Sequence, residues 1–164
     1  KEFLHAAIDR AVKNGATIIL DGRTAKDPQG YEGGNWLGPT ILDNVKPTME
    51  AACDELFGLI ISIIRCKTIQ EAMEIENANP YGNACSVFTS SGTLAEKVIT
   101  KARAGMVGVN VGVPVPREPF SFGGINASKF GHGDITGVHS LNFWTNVKKI
   151  TSKWEKQNDQ TWMS

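Results

Sequence analysis

The sequence predicts an α/β fold, a layered and mainly parallel sheet with crossover helices. Short β-branched runs alternate with helical patterns of about ten residues, and parallel neighbouring strands need such crossover connections. The run from 56 to 66 is apolar without a polar face, which is typical of a strand covered on both sides. We therefore expect this run to be the central strand of the sheet.

The first part of the chain predicts one helix and two strands. Apolar residues recur at helical spacing from 3 to 12, and Gly15 supplies the left-handed conformation at which helices commonly end. Residues 17–20 (TIIL) and 39–42 (PTIL) are short β-branched runs bounded by glycine-containing turns. Each run predicts a strand.

Two capping patterns predict the next two helices. Thr68 and Thr93 are each followed three residues later by a glutamate, which is the spacing of a capping box, and an apolar stripe follows each of them. Residues 84–89 and 106–110 are short apolar runs and predict the strands between and after these helices.

The last part of the chain predicts a shaped loop and a terminal strand. Prolines and glycines between 111 and 137 exclude regular pairing, and a short helix follows near Leu141. In 146–154, β-branched residues alternate roughly with lysines. With the apolar Trp154 and Trp162 close by, this strand would complete its hydrogen bonds on a neighbouring subunit's sheet edge, and pairing within its own chain is the alternative.

Charge and composition exclude several classes of partner. The chain has 17 basic and 17 acidic side chains, so no net field steers it toward nucleic acid or anionic lipid. Its longest apolar run is far shorter than the roughly 20 residues of a membrane span. Three cysteines at irregular spacing favour reduced thiols in a cytoplasmic compartment.

The residues alone predict no catalytic nucleophile and no metal site. Cys66 and Cys85 lie in or beside apolar strand runs, which favours buried and inert side chains. Cys53 precedes two acidic residues, whose charge disfavours the reactive thiolate. In 131–137 (GHGDITG), Thr136 replaces the third glycine of a dinucleotide loop, and no Cys or His pair has the spacing of zinc ligands.

Two stretches are candidates for a ligand site. In 54–58 (DELFG), paired acids and an aromatic ring precede a strand, where hydroxyl-rich ligands are often held, although a solvated turn explains the same pattern. In 119–124 (PFSFGG), two phenylalanines lie on a kinked loop, either as a core plug or as a pocket wall.

These same stretches resemble the aldehyde dehydrogenase superfamily. Residues 55–58 (ELFG) match its E-x-F-G-P segment, with Leu59 in the place of the proline. Further matches follow in the family's order: GPTI at 38–41, NPYG at 79–82, GVN at 108–110 and FGG at 122–124. The methylmalonate-semialdehyde dehydrogenase branch is the most similar, through 109–116, 120–122 and 143–154.

The resemblance implies a reaction and three site residues. Members of the family oxidise an aldehyde through a cysteine thiohemiacetal, transfer a hydride to NAD or NADP, and release the acyl group to water or, in this branch, to coenzyme A. Carried over by position, Glu55 would hold the ribose hydroxyls next to the nicotinamide, Phe57 would pack beside that ring, and Phe122 would line the aldehyde pocket.

The resemblance also implies that the chain is one part of an enzyme. The family's nucleophile, general base and cofactor domain lie upstream of every segment matched here. We expect 1–145 to be the C-terminal part of the catalytic domain, 146–164 to be a terminal strand and tail that joins a homo-oligomer, and the isolated chain to be inactive. The alternatives are a parent enzyme for lactaldehyde, phosphonoacetaldehyde or glyceraldehyde 3-phosphate, and a stand-alone oligomerisation module.

Overall fold

The computed structural model describes residues 1–154, which form a mixed α/β fold in two units. The first unit comprises 1–81 and 89–103, and the second comprises 82–88 and the residues from 104 onward. The helices are α1 (Glu2–Lys13), α2 (Glu50–Cys53), α3 (Ile69–Ala78), α4 (Gly92–Lys101) and α5 (Ser140–Trp144). The strands are β1 (Thr17–Leu20), β2 (Thr40–Asp43), β3 (Ile60–Ser62), β4 (Tyr81–Gly82), β5 (Ala84–Val87), β6 (Met106–Val109) and β7 (Ile125–Asn126).

The core of the first unit forms between α1 and a three-stranded sheet. Ile8 of α1 and Leu42 of β2 are fully buried, and Ala11, Ala16, Val45 and Met49 complete the cluster. The α1 helix ends as predicted, because Gly15 takes the left-handed conformation at a φ of 103° and the chain turns into β1.

The sheet of the first unit combines two kinds of pairing. The β1 strand runs antiparallel to β2, and β2 runs parallel to β3, so β2 is the middle strand. Thr40 on β2 is fully buried, and its hydroxyl accepts a hydrogen bond of 3.0 Å from the backbone N–H of Gly22. A buried hydroxyl is thereby satisfied, and the loop after β1 is tied to the sheet.

The prediction for 56–66 is wrong in both length and burial. The strand covers only Ile60–Ser62, and Ile61 is 60% exposed. β3 lies at the edge of the sheet, and Ile60 packs against the buried cluster. The apolar composition therefore does not correspond to burial on both sides within the described residues.

One of the two predicted helix caps is confirmed. The Thr68 hydroxyl accepts a hydrogen bond from the backbone N–H of Glu71 at 3.1 Å, at the start of α3. The second prediction is wrong by two residues, because α4 begins after Ser91 and not after Thr93. The Ser91 hydroxyl accepts the N–H of Leu94 at 3.3 Å, so a serine of the same capping ability starts the helix earlier.

The second unit contains a parallel pair of strands and a long loop. β5 and β6 are parallel in the register Ala84 to Met106. The helix expected near Leu141 is confirmed as α5. The strands of the two units lie in separate small sheets, so one layered, mainly parallel sheet stays a prediction.

The terminal strand is not formed in the described residues 146–154, where the backbone has no regular structure. The strand therefore stays a prediction. Trp162 lies outside the described residues. Cys66 and Cys85 are half-buried and not fully buried as expected. Among residues 1–154, no helix has both the length and the apolar character needed to cross a bilayer.

Candidate active site

Glu55 and Phe57 lie in the bend between α2 and β3, and both side chains are exposed. The Phe57 ring is 90% exposed, although an aromatic side chain usually seeks burial. Its backbone has a φ of 50°, in the left-handed region that bulky residues rarely adopt. Such conformations occur preferentially at ligand sites, where the surrounding structure enforces them.

The chain after Phe57 is fixed by close packing and two backbone hydrogen bonds. A Cβ atom at Gly58 would lie 2.6 Å from Cδ1 of Leu4, so the bend packs directly on α1. The N–H of Ile60 donates to the carbonyl of Gly58 at 2.8 Å, which closes a three-residue turn around Leu59. The Leu59 carbonyl accepts the N–H of Thr40 at 2.8 Å and joins this turn to β2.

The chain before Glu55 is fixed by α2. Arg10 of α1 donates two hydrogen bonds of 2.6 Å to the carboxylate of Glu50, and this bidentate contact holds the pKa of Glu50 below its usual value. The Ser62 hydroxyl of β3 donates to the Ala51 carbonyl at 2.7 Å. Both ends of the bend are therefore attached to the core of the first unit.

The chemistry of the bend fits a nicotinamide nucleotide. An exposed carboxylate at Glu55 accepts hydrogen bonds from vicinal hydroxyls, and the open ring of Phe57 offers an apolar face to a planar heterocycle.

Phe122 lies in the second unit, on a loop that residues 136–138 hold in place. The Phe122 N–H donates to the Thr136 hydroxyl at 2.9 Å, and the Ser121 hydroxyl donates to the Thr136 carbonyl at 3.0 Å. The Val138 N–H donates to the Pro119 carbonyl at 3.0 Å. Phe122 is 44% exposed, so it is a partly open ring on a fixed loop and not a core plug.

Sequence reasoning missed the contribution of Thr136. That residue stood out only because it replaces a glycine of the dinucleotide loop, whereas the structure uses its hydroxyl and carbonyl to fix the loop of Phe122. A threonine in a glycine-rich loop gives no local signal of a partner that lies 14 residues away in sequence.

The surroundings of Cys53 do not favour a reactive thiolate. The Cys53 thiol donates to the Pro47 carbonyl at 2.9 Å, at the C-terminal end of α2, where no helix N-terminus is present to stabilise a thiolate. Within residues 1–154, no three His, Cys, Asp or Glu side chains are grouped so as to hold a metal ion.

Comparison with known proteins identifies the family. The profile described as the aldehyde dehydrogenase family matches residues 1–150. The chain belongs to the aldehyde dehydrogenase family. It is 44% identical over 158 residues to the acylating mitochondrial methylmalonate-semialdehyde/malonate-semialdehyde dehydrogenase of Rattus norvegicus, a match that covers 96% of this chain and 29% of the relative.

Solved aldehyde dehydrogenase structures agree with this assignment. The methylmalonate-semialdehyde dehydrogenase of Oceanimonas doudoroffii has a TM-score of 0.89 at 36% identity, over 95% of this chain and 32% of that protein. The indole-3-acetaldehyde dehydrogenase of P. syringae, in complex with NAD+, has a TM-score of 0.79 at 31% identity, over 90% and 28%. The chain therefore spans about a third of the length of these aldehyde dehydrogenases.

Proposed function

We propose that residues 1–164 act as part of an NAD(P)-dependent aldehyde dehydrogenase for methylmalonate or malonate semialdehyde, with coenzyme A as the acyl acceptor. The observation that carries the proposal is the 44% identity to the acylating rat enzyme across 96% of this chain. The name of that relative gives both the semialdehyde substrates and the acylating reaction.

In this proposal, the bend of the first unit holds the cofactor. Glu55 accepts hydrogen bonds from the ribose hydroxyls and Phe57 packs beside the nicotinamide. NAD(P) held there would supply the hydride acceptor for oxidation of the aldehyde. The exposure of both side chains and the fixed backbone on either side of them support this role. Phe122 lines the aldehyde pocket.

The nucleophile comes from polypeptide outside these residues. The family's nucleophile lies in a segment upstream of every segment matched here, and Cys53 lies at the C-terminal end of α2, where no helix N-terminus stabilises a thiolate. The isolated chain is therefore inactive, and its residues contribute binding and positioning to an enzyme that other residues complete.

We assign the terminal segment to assembly. Val147, Ile150 and Trp154 are 77%, 78% and 93% exposed. Exposed apolar side chains such as these are stabilised when another protein surface buries them. The 146–154 strand forms on the sheet edge of another subunit of a homo-oligomer, and the mainly parallel sheet is completed in the whole enzyme. We place the enzyme in the cytoplasm, although the name of the rat relative is mitochondrial.

A chimera tests the proposed function. Residues 1–164 replace the matched part of the Oceanimonas doudoroffii enzyme, and NADH formation is followed with malonate semialdehyde, with and without coenzyme A. We expect coenzyme A-dependent NADH from the chimera and none from residues 1–164 alone. NADH from residues 1–164 alone, or a folded chimera that does not oxidise this aldehyde, would contradict the proposal.

A further inference from the structure

Arg117 lies on the loop of the second unit that also carries Phe122. The Phe120 N–H donates to the Arg117 carbonyl at 3.0 Å, and this hydrogen bond closes a turn of four residues. The turn is held from the other side of the loop, because the Val138 N–H donates to the Pro119 carbonyl at 3.0 Å. The segment that fixes Phe122 therefore also fixes the turn that begins at Arg117.

The guanidinium of Arg117 is exposed and has no hydrogen-bond or ion-pair partner among the residues that the structure describes. Three other arginines each bind a carboxylate of this chain, in the pairs Arg10–Glu50, Arg23–Asp21 and Arg65–Asp43. Lys129, a second cation of the Phe122 loop, is paired with Asp134 at 2.5 Å. The N–H donors of Arg117 are thus open to a ligand in a way that those of its paired neighbours are not.

The proposed substrates carry a group that an arginine recognises well. In malonate and methylmalonate semialdehyde, the aldehyde and the carboxylate are attached to the same carbon atom. A pocket that holds the aldehyde therefore also holds the carboxylate, and an anion without a partner is costly to remove from water. A guanidinium binds a carboxylate through two parallel hydrogen bonds, a planar geometry that the ammonium group of lysine does not match.

We infer that Arg117 binds the carboxylate of the substrate while the aldehyde end lies against Phe122. Arg117 is then a specificity-determining residue, because it favours aldehydes that carry a carboxylate over uncharged aldehydes of the same length. The inference rests on the proposed function, in which Phe122 lines the aldehyde pocket, and it adds the residue that selects the substrate within that pocket.

Two aldehydes of the same length test the inference in the chimera with the Oceanimonas doudoroffii enzyme. Malonate semialdehyde carries the carboxylate, and propionaldehyde carries a methyl group in its place. The value of kcat/KM for each aldehyde is measured from NADH formation for the chimera and for its Arg117→Leu and Arg117→Lys variants. Glu118→Gln is the matched control, since it removes the charge of the adjacent exposed residue of the same turn.

We expect Arg117→Leu to lower kcat/KM about ten-fold or more for malonate semialdehyde and less than about two-fold for propionaldehyde. Arg117→Lys keeps the charge but not the planar fork, so its loss with malonate semialdehyde should be smaller than that of Arg117→Leu. Glu118→Gln should change both values less than about two-fold.

Two results would overturn the inference while the proposed function stands. Equal losses for the two aldehydes would show that Arg117 only supports the loop, and an unchanged value for malonate semialdehyde in Arg117→Leu would show that Arg117 does not bind the carboxylate. A chimera that forms NADH from neither aldehyde before any substitution is made would contradict the proposed function itself, and the inference would fall with it.

Discussion

Gly58 and Leu4 approach so closely that a Cβ atom at Gly58 would lie 2.6 Å from the Leu4 Cδ1 atom and 2.9 Å from its Cδ2 atom. Through this contact, the bend that carries Glu55 and Phe57 packs on helix α1. The candidate cofactor site and helix α1 therefore meet at this glycine.

Gly58→Ala is expected to lower the free energy of unfolding by about 1–3 kcal/mol, because the added methyl group overlaps the Leu4 side chain. Urea unfolding measures the change. Gly92→Ala is the matched control, since a Cβ atom there meets nothing within 4 Å and Gly92 begins α4. Equal effects of the two substitutions would show that the contact with Leu4 is unimportant.

Phe57→Gly and Phe57→Ala separate the backbone of the bend from its ring. Both remove the aromatic side chain, but only glycine adopts a φ of 50° without steric cost. We expect the free energy of unfolding of the Phe57→Gly variant, measured by urea unfolding, to be about 1 kcal/mol higher than that of the Phe57→Ala variant. Indistinguishable stabilities would contradict the claim that this residue is strained.

Leu59→Pro is expected to be tolerated. The hydrogen bond from the Ile60 N–H to the Gly58 carbonyl closes a turn around Leu59, and the central residue of such a turn has a φ close to that of proline. The substitution should raise the free energy of unfolding by about 0.4–1 kcal/mol, because proline restricts the unfolded chain. Ile61→Pro, which interrupts the pairing of β3 with β2, should instead destabilise strongly.

The folded state is expected to lose stability in acid. Hydrogen bonds from Arg23 lower the pKa of Asp21 from 3.8 to about 2, and Arg65 and Arg10 lower the pKa values of Asp43 and Glu50. A carboxyl whose pKa is lower in the folded state stabilises the fold above its unfolded pKa and loses that contribution as the pH falls through the folded value.

Urea unfolding at several pH values checks this expectation. Stability should be constant above about pH 5 and should decrease progressively toward pH 2. Arg23→Gln removes the partner of Asp21. The free energy of unfolding of this variant should therefore depend less on pH at the acidic end of the series. A stability that stays constant down to pH 2 would contradict the assignment of these ion pairs.

Local sequence patterns predicted the helices whose ends are set by residues close by in sequence. The spacing of apolar residues before Gly15 located α1, and the hydroxyl of Thr68 located the start of α3. The Thr93 prediction failed because Ser91 offers the same capping chemistry two residues earlier, and local sequence does not rank the two.

The prediction for 56–66 failed for a different reason. An apolar run indicates that its side chains are buried in the complete protein. It does not show whether the residues that bury them belong to this chain. Ile61 is apolar and exposed, which agrees with a cover supplied by other polypeptide. The left-handed backbone of Phe57 has no sequence signal either, because bulky residues rarely adopt this conformation and nothing in the local pattern marks it.

The most direct test of the account is the KM for NAD+ of the chimera with Glu55→Gln, measured beside Asp54→Asn as a control that removes the adjacent exposed charge. The account predicts that Glu55→Gln raises this KM about ten-fold, because a carboxylate is replaced by an amide at the ribose hydroxyls, and that Asp54→Asn changes it less than two-fold. Equal KM values for the two variants would contradict the assignment of Glu55 to the cofactor.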